Sequence, residues 1–261
     1  MPKWGISKGE YFYDNEKRVI AKGLTSIKYM GSAVADELYD IAKFAKAEQF
    51  VDVLMAISNS SLNARQLDIL IKLDFFSEFG NQRELLRITE MFYDLFDCGN
   101  AKKINRAKID GTPLEPIVQK YAIGVTKAGA ASKFYTLLDT LSIMLEAETA
   151  IKESGVGDLS DLTKVRNFAD IMGYVGYVSD KEEDRRKLYV LDIYPLVRKS
   201  DGAQFGYSVI TKSIGSGKES RFTVVNKVYN EDPINKNDII FCDTYEKQGQ
   251  YYRLTKYRKI Y

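Results

Sequence analysis

The chain has 261 residues, of which 45% are hydrophobic and 28% charged, and its net charge is +2; these values are typical of a globular protein with a sizeable core. It contains no histidine and two cysteines, which excludes Ser-His nucleophilic sites and the usual zinc sites and predicts reduced thiols in a cytoplasmic protein. The sequence has no apolar run of membrane-spanning length and no signal-peptide pattern, so we expect no membrane association.

The first hundred residues predict a hairpin followed by helices. Short, partly alternating segments at 10–14 and 18–23 are separated by residues 15–17, which indicates two paired strands. Apolar residues then recur three and four positions apart, as they do on one face of a helix. The predicted helices cover residues 33–47, 50–57, 62–73 and 82–96. We therefore expect an all-helical N-terminal domain over residues 1–98.

Residues 99–132 are rich in Gly, Ala, Lys and Asn and are weakly periodic, which predicts a linker with one short helix near 114–121. An apolar stripe then predicts a long helix over 133–153, ended by Gly155-Val156-Gly157. The segment 158–161 offers caps for a further helix through Ile171. We interpret 99–172 as a linker and helical connector.

From Gly173 onward the hydrophobic period changes to two, which predicts strands. Turn-rich segments separate the candidates, which cover 174–178, 188–198, 204–213, 220–228, 238–245 and 250–259. Five or six strands without a helix of normal length among them indicate a small closed barrel over residues 173–261.

The stretch SIKYMGSAVADEL places a glycine turn at the start of a helix. We interpret Tyr29, Met30 and Gly31 as a hairpin and Ser32 as the cap of the second helix. Free backbone N–H groups and the helix dipole then point at one spot, which favours an anion such as a nucleic-acid phosphate. Lys22 and Lys28 add positive charge beside it. The alternative is a plain helix-turn-helix corner with a capping serine.

A second corner follows in LDILIKLDFFSEFGNQRELL, where Gly80 and Asn81 open a new helix and Arg83 lies in its first turn. Two such corners in tandem predict a second backbone contact to DNA phosphates at Gly80, Asn81 and Arg83. Asp74 would repel phosphate locally, which favours a structural role for this corner.

The C-terminal region is basic, because residues 186–261 carry 14 Lys and Arg against 8 Asp and Glu. Its last 15 residues, KQGQYYRLTKYRKIY, interleave five cations with four tyrosines. Cations for phosphates and flat rings for bases are typical of single-strand binders. The predicted contacts are Tyr207, Lys212, Lys218, Arg221, Phe222 and Arg253. The alternative is that these aromatics belong to the barrel core.

The run VIAKGLTSIKYMGSAVADEL and the later LNARQLDILIKLDFFSEFGNQRELL resemble the tandem helix-hairpin-helix region of the bacterial DNA polymerase III α subunit, a C-family polymerase. The resemblance covers residues 2–90, is loose over 99–155, and returns in ADIMGYVGYV and the tail. It implies an α+β chain: tandem helix-hairpin-helix domain, helical connector, and oligonucleotide-binding (OB)-like barrel. The sequence departs from the family pattern at Tyr29 and Asp74, where the family carries glycine.

The resemblance also implies partners and chemistry. The partners would be duplex and single-stranded DNA and replisome proteins, including a sliding clamp. The segment QLDIL (66–70) resembles a clamp-docking peptide, but it lies within the predicted helix 62–73, so we expect Leu67 and Leu70 in the core. The parent DNA-directed DNA polymerase would require Mg²⁺. This sequence has no Asp-x-Asp and no counterpart of the catalytic region, so we expect a piece of that polymerase with no catalytic residues or cofactor of its own. The alternatives are a stand-alone nucleic-acid-binding module and a replisome scaffold.

Overall fold

One hairpin and four helices form the start of the chain in the computed structural model, which describes residues 2–14, 18–97, 102–179, 184–249 and 251–260. The hairpin is β1 (Phe12–Asp14) paired antiparallel with β2 (Val19–Ala21); the predicted turn at 15–17 lies outside the described residues. The helices are α1 (Ser32–Phe44), α2 (Phe50–Ile57), α3 (Ala64–Lys72) and α4 (Gln82–Leu95). The hairpin and all four predicted helices are confirmed.

Aromatic side chains fill the interior among these helices. The ring centroid of Phe76 lies 5.4 Å from that of Trp4 and 5.3 Å from that of Phe50, and all three side chains are buried. Such packing of large apolar groups contributes most of the free energy that holds short helices in place, because isolated helices of this length are marginal in water.

Residues 102–137 form a small sheet where the sequence predicted a linker. Its strands are β3 (Lys103–Asn105), β4 (Ala122–Val125) and β5 (Ala131–Leu137), in the antiparallel order β3-β5-β4, and α5 (Glu115–Lys120) lies between β3 and β4. The predicted helix 133–153 is wrong in its first turns. Residues 131–137 pair on both sides as β5, and the helix α6 (Thr140–Glu153) begins only after Asp139, whose side chain accepts a hydrogen bond from Ser142 N.

A buried carboxylate joins α6 to α2. Glu148 is fully buried, and its two oxygens accept hydrogen bonds from Phe50 N and Val51 N, each at 2.8 Å. Lys152 Nζ lies 2.7 Å from Glu148 Oε1. The α2 amides and the Lys152 cation thus compensate the buried negative charge.

The C-terminal part contains α7 (Asp161–Met172) and a closed five-stranded barrel. The strands are β6 (Lys187–Val197), β7 (Gln204–Ser213), β8 (Glu219–Val225), β9 (Ile239–Gln248) and β10 (Tyr251–Lys259), with α8 (Asn226–Glu231) between β8 and β9. They close in the order β10-β8-β7-β6-β9, with β10 parallel to β8. This is the Greek-key topology of an OB-like barrel.

Two predictions for this part are wrong in detail. Residues 174–178 are not a strand, and the end of the predicted strand 220–228 is the start of α8. The segment 174–179 instead packs beside the barrel: Val175 belongs to a buried cluster with Tyr189 and Ile214, and Ser179 N donates to Ile214 O. That pairing is too short for a regular strand.

The chain is α+β, with a helix-hairpin-helix region first and an OB-like barrel last, as the sequence predicted. It divides into two compact units, residues 1–159 and 160–261. The three-part division at 98/99 and 172/173 stays a prediction. None of the helices described is long and apolar enough to cross a membrane.

Candidate nucleic-acid interface

The first corner is a tight turn between a short 3-10 segment, Leu24–Ser26, and α1. Ile27 and Met30 are buried, and Met30 N donates to Ile27 O at 3.1 Å. Between them, Lys28 and Tyr29 are exposed. The turn is therefore anchored by two apolar side chains and presents its polar residues outward.

The first turn of α1 has unpaired backbone amides. Gly31, not Ser32 as predicted, is the N-cap, and no side chain caps the helix; Ser32 is its first helical residue because the extended backbone, φ −85° and ψ 160°, falls at Gly31. Within the described residues, no hydrogen-bond acceptor contacts the amides of Ser32, Ala33 or Val34, and the first turn holds no acidic residue. These donors and the helix dipole are free to bind an anion.

Gly31 itself is exposed, and an added Cβ would meet no atom within 4 Å. The glycine is therefore not required by internal packing. It leaves the backbone open to an approaching group from outside.

The ring of Tyr29, two residues before Gly31, contacts two cations. Its backbone has φ +68°, the left-handed region that favours glycine. The Arg65 guanidinium lies 3.8 Å from the ring centroid and Lys28 Nζ lies 5.4 Å from it. Gln66 Nε2 donates to Tyr29 O at 2.8 Å and fixes the turn against α3. The tyrosine ring thus holds positive charge at the corner through cation–π contacts.

Arg65 was missed by the sequence analysis. It is exposed in the first turn of α3, 36 positions from Tyr29 in the chain, and no local pattern connects the two. Lys22, by contrast, is half-buried just after β2 and is already engaged within the protein. The cations that contact the Tyr29 ring are therefore Lys28 and Arg65. The DNA contact of Lys22 stays a prediction.

The second corner is closed by the protein's own side chains. Asn81 caps α4 by accepting from Glu84 N, and Glu84 Oε2 accepts from Asn81 N at 2.9 Å. Asp158 Oδ1 accepts from Gln82 N at 3.2 Å. Carboxylates accept from the amides of Asn81 and Gln82, so the predicted phosphate contact at Asn81 is corrected: Asn81 stabilises the corner. The contact at Gly80 stays a prediction.

Two further residues of this corner, Arg83 and Asp74, were singled out by the sequence. Arg83 is exposed in the first turn of α4, and its DNA contact stays a prediction. Asp74 has φ +58°, so it adopts the left-handed conformation that explains why the resembled family carries glycine at this turn.

Three predicted barrel contacts are engaged internally. Phe222 is 6% exposed and belongs to the barrel core, which corrects its assignment to the binding surface. Tyr207 stacks on Tyr229 of α8 with centroids 3.7 Å apart and packs against the same core. Lys212 Nζ donates to Val175 O at 2.7 Å and holds the segment after α7. Alternation along β7 and β8 turns Phe222 and Tyr207 inward.

Lys218, Arg221 and Arg253 are more accessible. Lys218 is exposed in the turn before β8, Arg221 is exposed on β8, and Arg253 is half-buried on β10, opposite Thr223 of β8. Their DNA contacts stay predictions.

An aromatic cluster lies on the β9-β10 hairpin. The ring centroid of Tyr245 on β9 lies 5.6 Å from that of Tyr252 on β10, and each lies 6.1 Å from that of buried Phe222. Tyr245 is 53% exposed, whereas Tyr252 is half-buried and packs against the barrel core. Tyr251 beside them is 68% exposed. We call Tyr245, Tyr251 and Tyr252 the hairpin tyrosines. The last two lie in the basic, tyrosine-rich tail but were not among the predicted contacts. Tyr245 lies outside that tail, and only the strand pairing brings it close.

Burial sets the ionisation of two groups in the barrel. The pKa of Cys242 is raised to about 11 by burial, with a smaller contribution from Asp243, so its thiol stays protonated. Burial also raises the pKa of Tyr257, whose hydroxyl donates to Asp232 O. Tyr257 is therefore a structural tyrosine of the tail.

The clamp-like peptide 66–70 lies in α3. Leu67, Ile69 and Leu70 are buried, and Gln66 is 8% exposed with its side chain bonded to Tyr29 O. A clamp peptide docks in an extended, exposed form, so the interpretation of this segment as part of the helical core is confirmed.

The comparisons agree with the first corner's geometry. Residues 5–86 match the family described as the helix-hairpin-helix motif. Comparison with curated proteins gives no match. The helix-hairpin-helix region supports binding of DNA by this part of the chain, and both corners lie within it.

Proposed function

We propose that the chain is a DNA-binding part of a DNA polymerase III α-type polymerase that holds duplex DNA through the first corner. One observation carries the proposal: inside the helix-hairpin-helix region, the uncapped amides of α1 follow directly after the turn whose Tyr29 ring contacts Lys28 and Arg65. Backbone amides and cations contact phosphates without reading bases. The binding is therefore independent of sequence, as a moving polymerase requires.

The proposal assigns single-stranded template to the barrel. The OB-like topology, the basic tail and the exposed rings of Tyr245 and Tyr251 support this assignment. Aromatic rings stack on bases of any identity, and Lys247 and Arg253 on the same hairpin supply charge for the phosphates. Replisome proteins bind the parent enzyme in the same proposal.

The parent polymerase would use Mg²⁺ for nucleotidyl transfer. Among the described residues, no group of three or more His, Cys, Asp or Glu side chains could hold a metal ion. These residues do not fit a metal-binding catalytic centre, and we assign no step of that reaction to this chain.

Fluorescence anisotropy with labelled duplex and oligo(dT), across a salt series, tests the proposal. A phosphate binder loses affinity steeply as salt rises. We expect Lys28→Glu to weaken duplex binding more than oligo(dT) binding. The matched control is Lys46→Glu, an exposed lysine just beyond the other end of α1. Absence of duplex binding at low salt, or equal effects of the two variants, would refute the duplex assignment.

A further inference from the structure

The small sheet β3-β5-β4 has one buried face and one apolar exposed face. Ile104, Tyr135 and Leu137 are buried on the inner side. On the other side lie four exposed apolar side chains: Ile123 at 48%, Val125 at 55%, Phe134 at 41% and Leu138 at 63% exposure. We call these four residues the outer sheet face.

The strand register places them together. Ile123 pairs with Thr136, which lies between Phe134 and Leu138 on the same side of β5. Gly124 points the opposite way, because a Cβ on it would lie 2.6 Å from Tyr135 Cε1. The pairing register shifts between Ile123 and Val125, which pairs with Ala131, so Val125 is counted with this face by its 55% exposure rather than by alternation. A cluster of large exposed apolar side chains on one sheet face marks an interaction surface.

Positive charge surrounds this face. Residues 102–138 carry seven Lys and Arg against two Asp and Glu. Ion pairs involve Arg106, Lys108 and Lys120, and two backbone carbonyls accept from Lys102. Within the part of the chain that the structure describes, three exposed lysines of this segment have no ion pair: Lys103, which pairs with Thr136 in the register, Lys127 in the turn between β4 and β5, and Lys133, whose Nζ lies 5.9 Å from the Phe134 ring.

We propose that the outer sheet face docks a protein segment whose bulky apolar side chains are flanked by carboxylates. Three of its four apolar residues are aliphatic, and aliphatic side chains do not stack on bases, which favours a protein over a nucleic acid. The unpaired lysines favour a negatively charged partner by electrostatic complementarity. This site uses none of the residues assigned to either DNA contact, and the proposal does not depend on the proposed function.

A defined peptide tests the proposal on the full chain. A labelled peptide of about ten residues alternating Leu and Asp spans such a sheet. Two comparison peptides replace every Leu by Ser or every Asp by Lys. We expect the Leu-Asp peptide to bind and the comparison peptides to bind far more weakly. Phe134→Ser and Leu138→Ser should each weaken binding by about tenfold, and Lys103→Glu should weaken it in a salt-dependent way.

Val197→Ser is the matched control, because Val197 is a 57% exposed apolar residue on the barrel strand β6. Thermal melts confirm that each variant is folded; if Phe134→Ser is not, Leu138→Ser and Lys103→Glu carry the test. Peptide affinity unchanged in these variants, or no preference for the Leu-Asp peptide, overturns the proposal. So does a tenfold loss of oligo(dT) affinity, or of binding to phosphatidylserine vesicles, in the same variants.

Discussion

At the residue scale, the sequence singled out Tyr29 as the departure from glycine in the first hairpin, and the structure gives the physical reason for that position. The backbone there is left-handed, which costs a non-glycine residue on the order of 1 kcal/mol. The Gln66 hydrogen bond and the Arg65 stack offset this cost. Neither partner could be predicted, because both contacts arise only when α3 packs beside the hairpin.

Arg65 gives the first residue-scale prediction. Arg65→Ala removes the cation that stacks on the Tyr29 ring in the first corner, so we expect weaker duplex binding. The slope of log affinity against log salt concentration should become smaller in magnitude by about 0.9, the value of one phosphate contact. Duplex anisotropy at several salt concentrations measures it. Arg87→Ala, an exposed arginine on α4, is the control and should leave the slope unchanged. A slope unaltered in Arg65→Ala would remove Arg65 from the interface.

Cys242 gives a prediction about pH. Its folded pKa is about 11 against 9.0 for the free group, so the folded state holds the proton more tightly. The resulting stabilisation is complete below pH 9 and is lost as pH rises from 9 toward 11. In a Cys98→Ser background, we expect iodoacetamide to leave native Cys242 unmodified at pH 8 and to label it in urea. Rapid labelling of the native protein, measured by mass spectrometry, would contradict a buried neutral thiol.

At the element scale, helices with a strong apolar period were predictable and the small sheet was not. The helices α1 to α4 carry local signals, including the paired caps Asn63–Gln66 and Asn81–Glu84. In contrast, β3 and β4 are short, and their order around β5 is set by pairing between distant residues. Phe134, Leu137 and Leu138 fit a helical stripe equally well, so periodicity alone could not decide.

Gly124 tests the packing of this sheet. A methyl group there would lie 2.6 Å from Tyr135 Cε1, and Tyr135 is held in place by its hydroxyl bond to Asp110 Oδ1 at 2.7 Å. We expect Gly124→Ala to lower the free energy of unfolding by about 1–3 kcal/mol through overpacking. Gly157→Ala is the control, because a Cβ at Gly157 meets no atom within 4 Å. Equal urea midpoints for the two variants would show that the sheet yields at this contact.

At the scale of the whole molecule, the sequence predicted two regions with different roles, a helix-hairpin-helix region and a basic barrel, and the structure shows both elements. The period-two patterning of five or six strands separated by turn residues predicted a small closed barrel, and the family resemblance implied its OB-like topology. Which aromatics face outward did not follow, because inward and outward positions alternate and a one-residue difference exchanges them. Phe222 was assigned to the wrong side for this reason.

The two regions should bind different forms of DNA. Tyr251→Ala removes a 68% exposed ring from the β9-β10 hairpin, so we expect oligo(dT) affinity to fall by about tenfold, within the range for one stacked base, while duplex affinity holds. Tyr11→Ala, a 58% exposed tyrosine near the N-terminus, should leave oligo(dT) affinity unchanged. Parallel losses on duplex and oligo(dT) would show that the assignment by region is wrong.

The central claim is that the open amides of α1 bind a phosphate, and Gly31→Asp tests it most directly. The extended backbone at Gly31 suits aspartate, and the added side chain has space. An aspartate cap bonds the free amides and should stabilise the fold by about 0.3–1 kcal/mol. It also puts a negative charge where the phosphate would bind.

Duplex anisotropy and urea unfolding of Gly31→Asp, with Gly31→Ala as the control, are the measurement. We predict that the aspartate variant is at least as stable as the wild type and binds duplex at least about tenfold more weakly, while the alanine variant binds nearly normally. Unchanged duplex affinity in a stabilised Gly31→Asp protein would contradict phosphate binding at this corner.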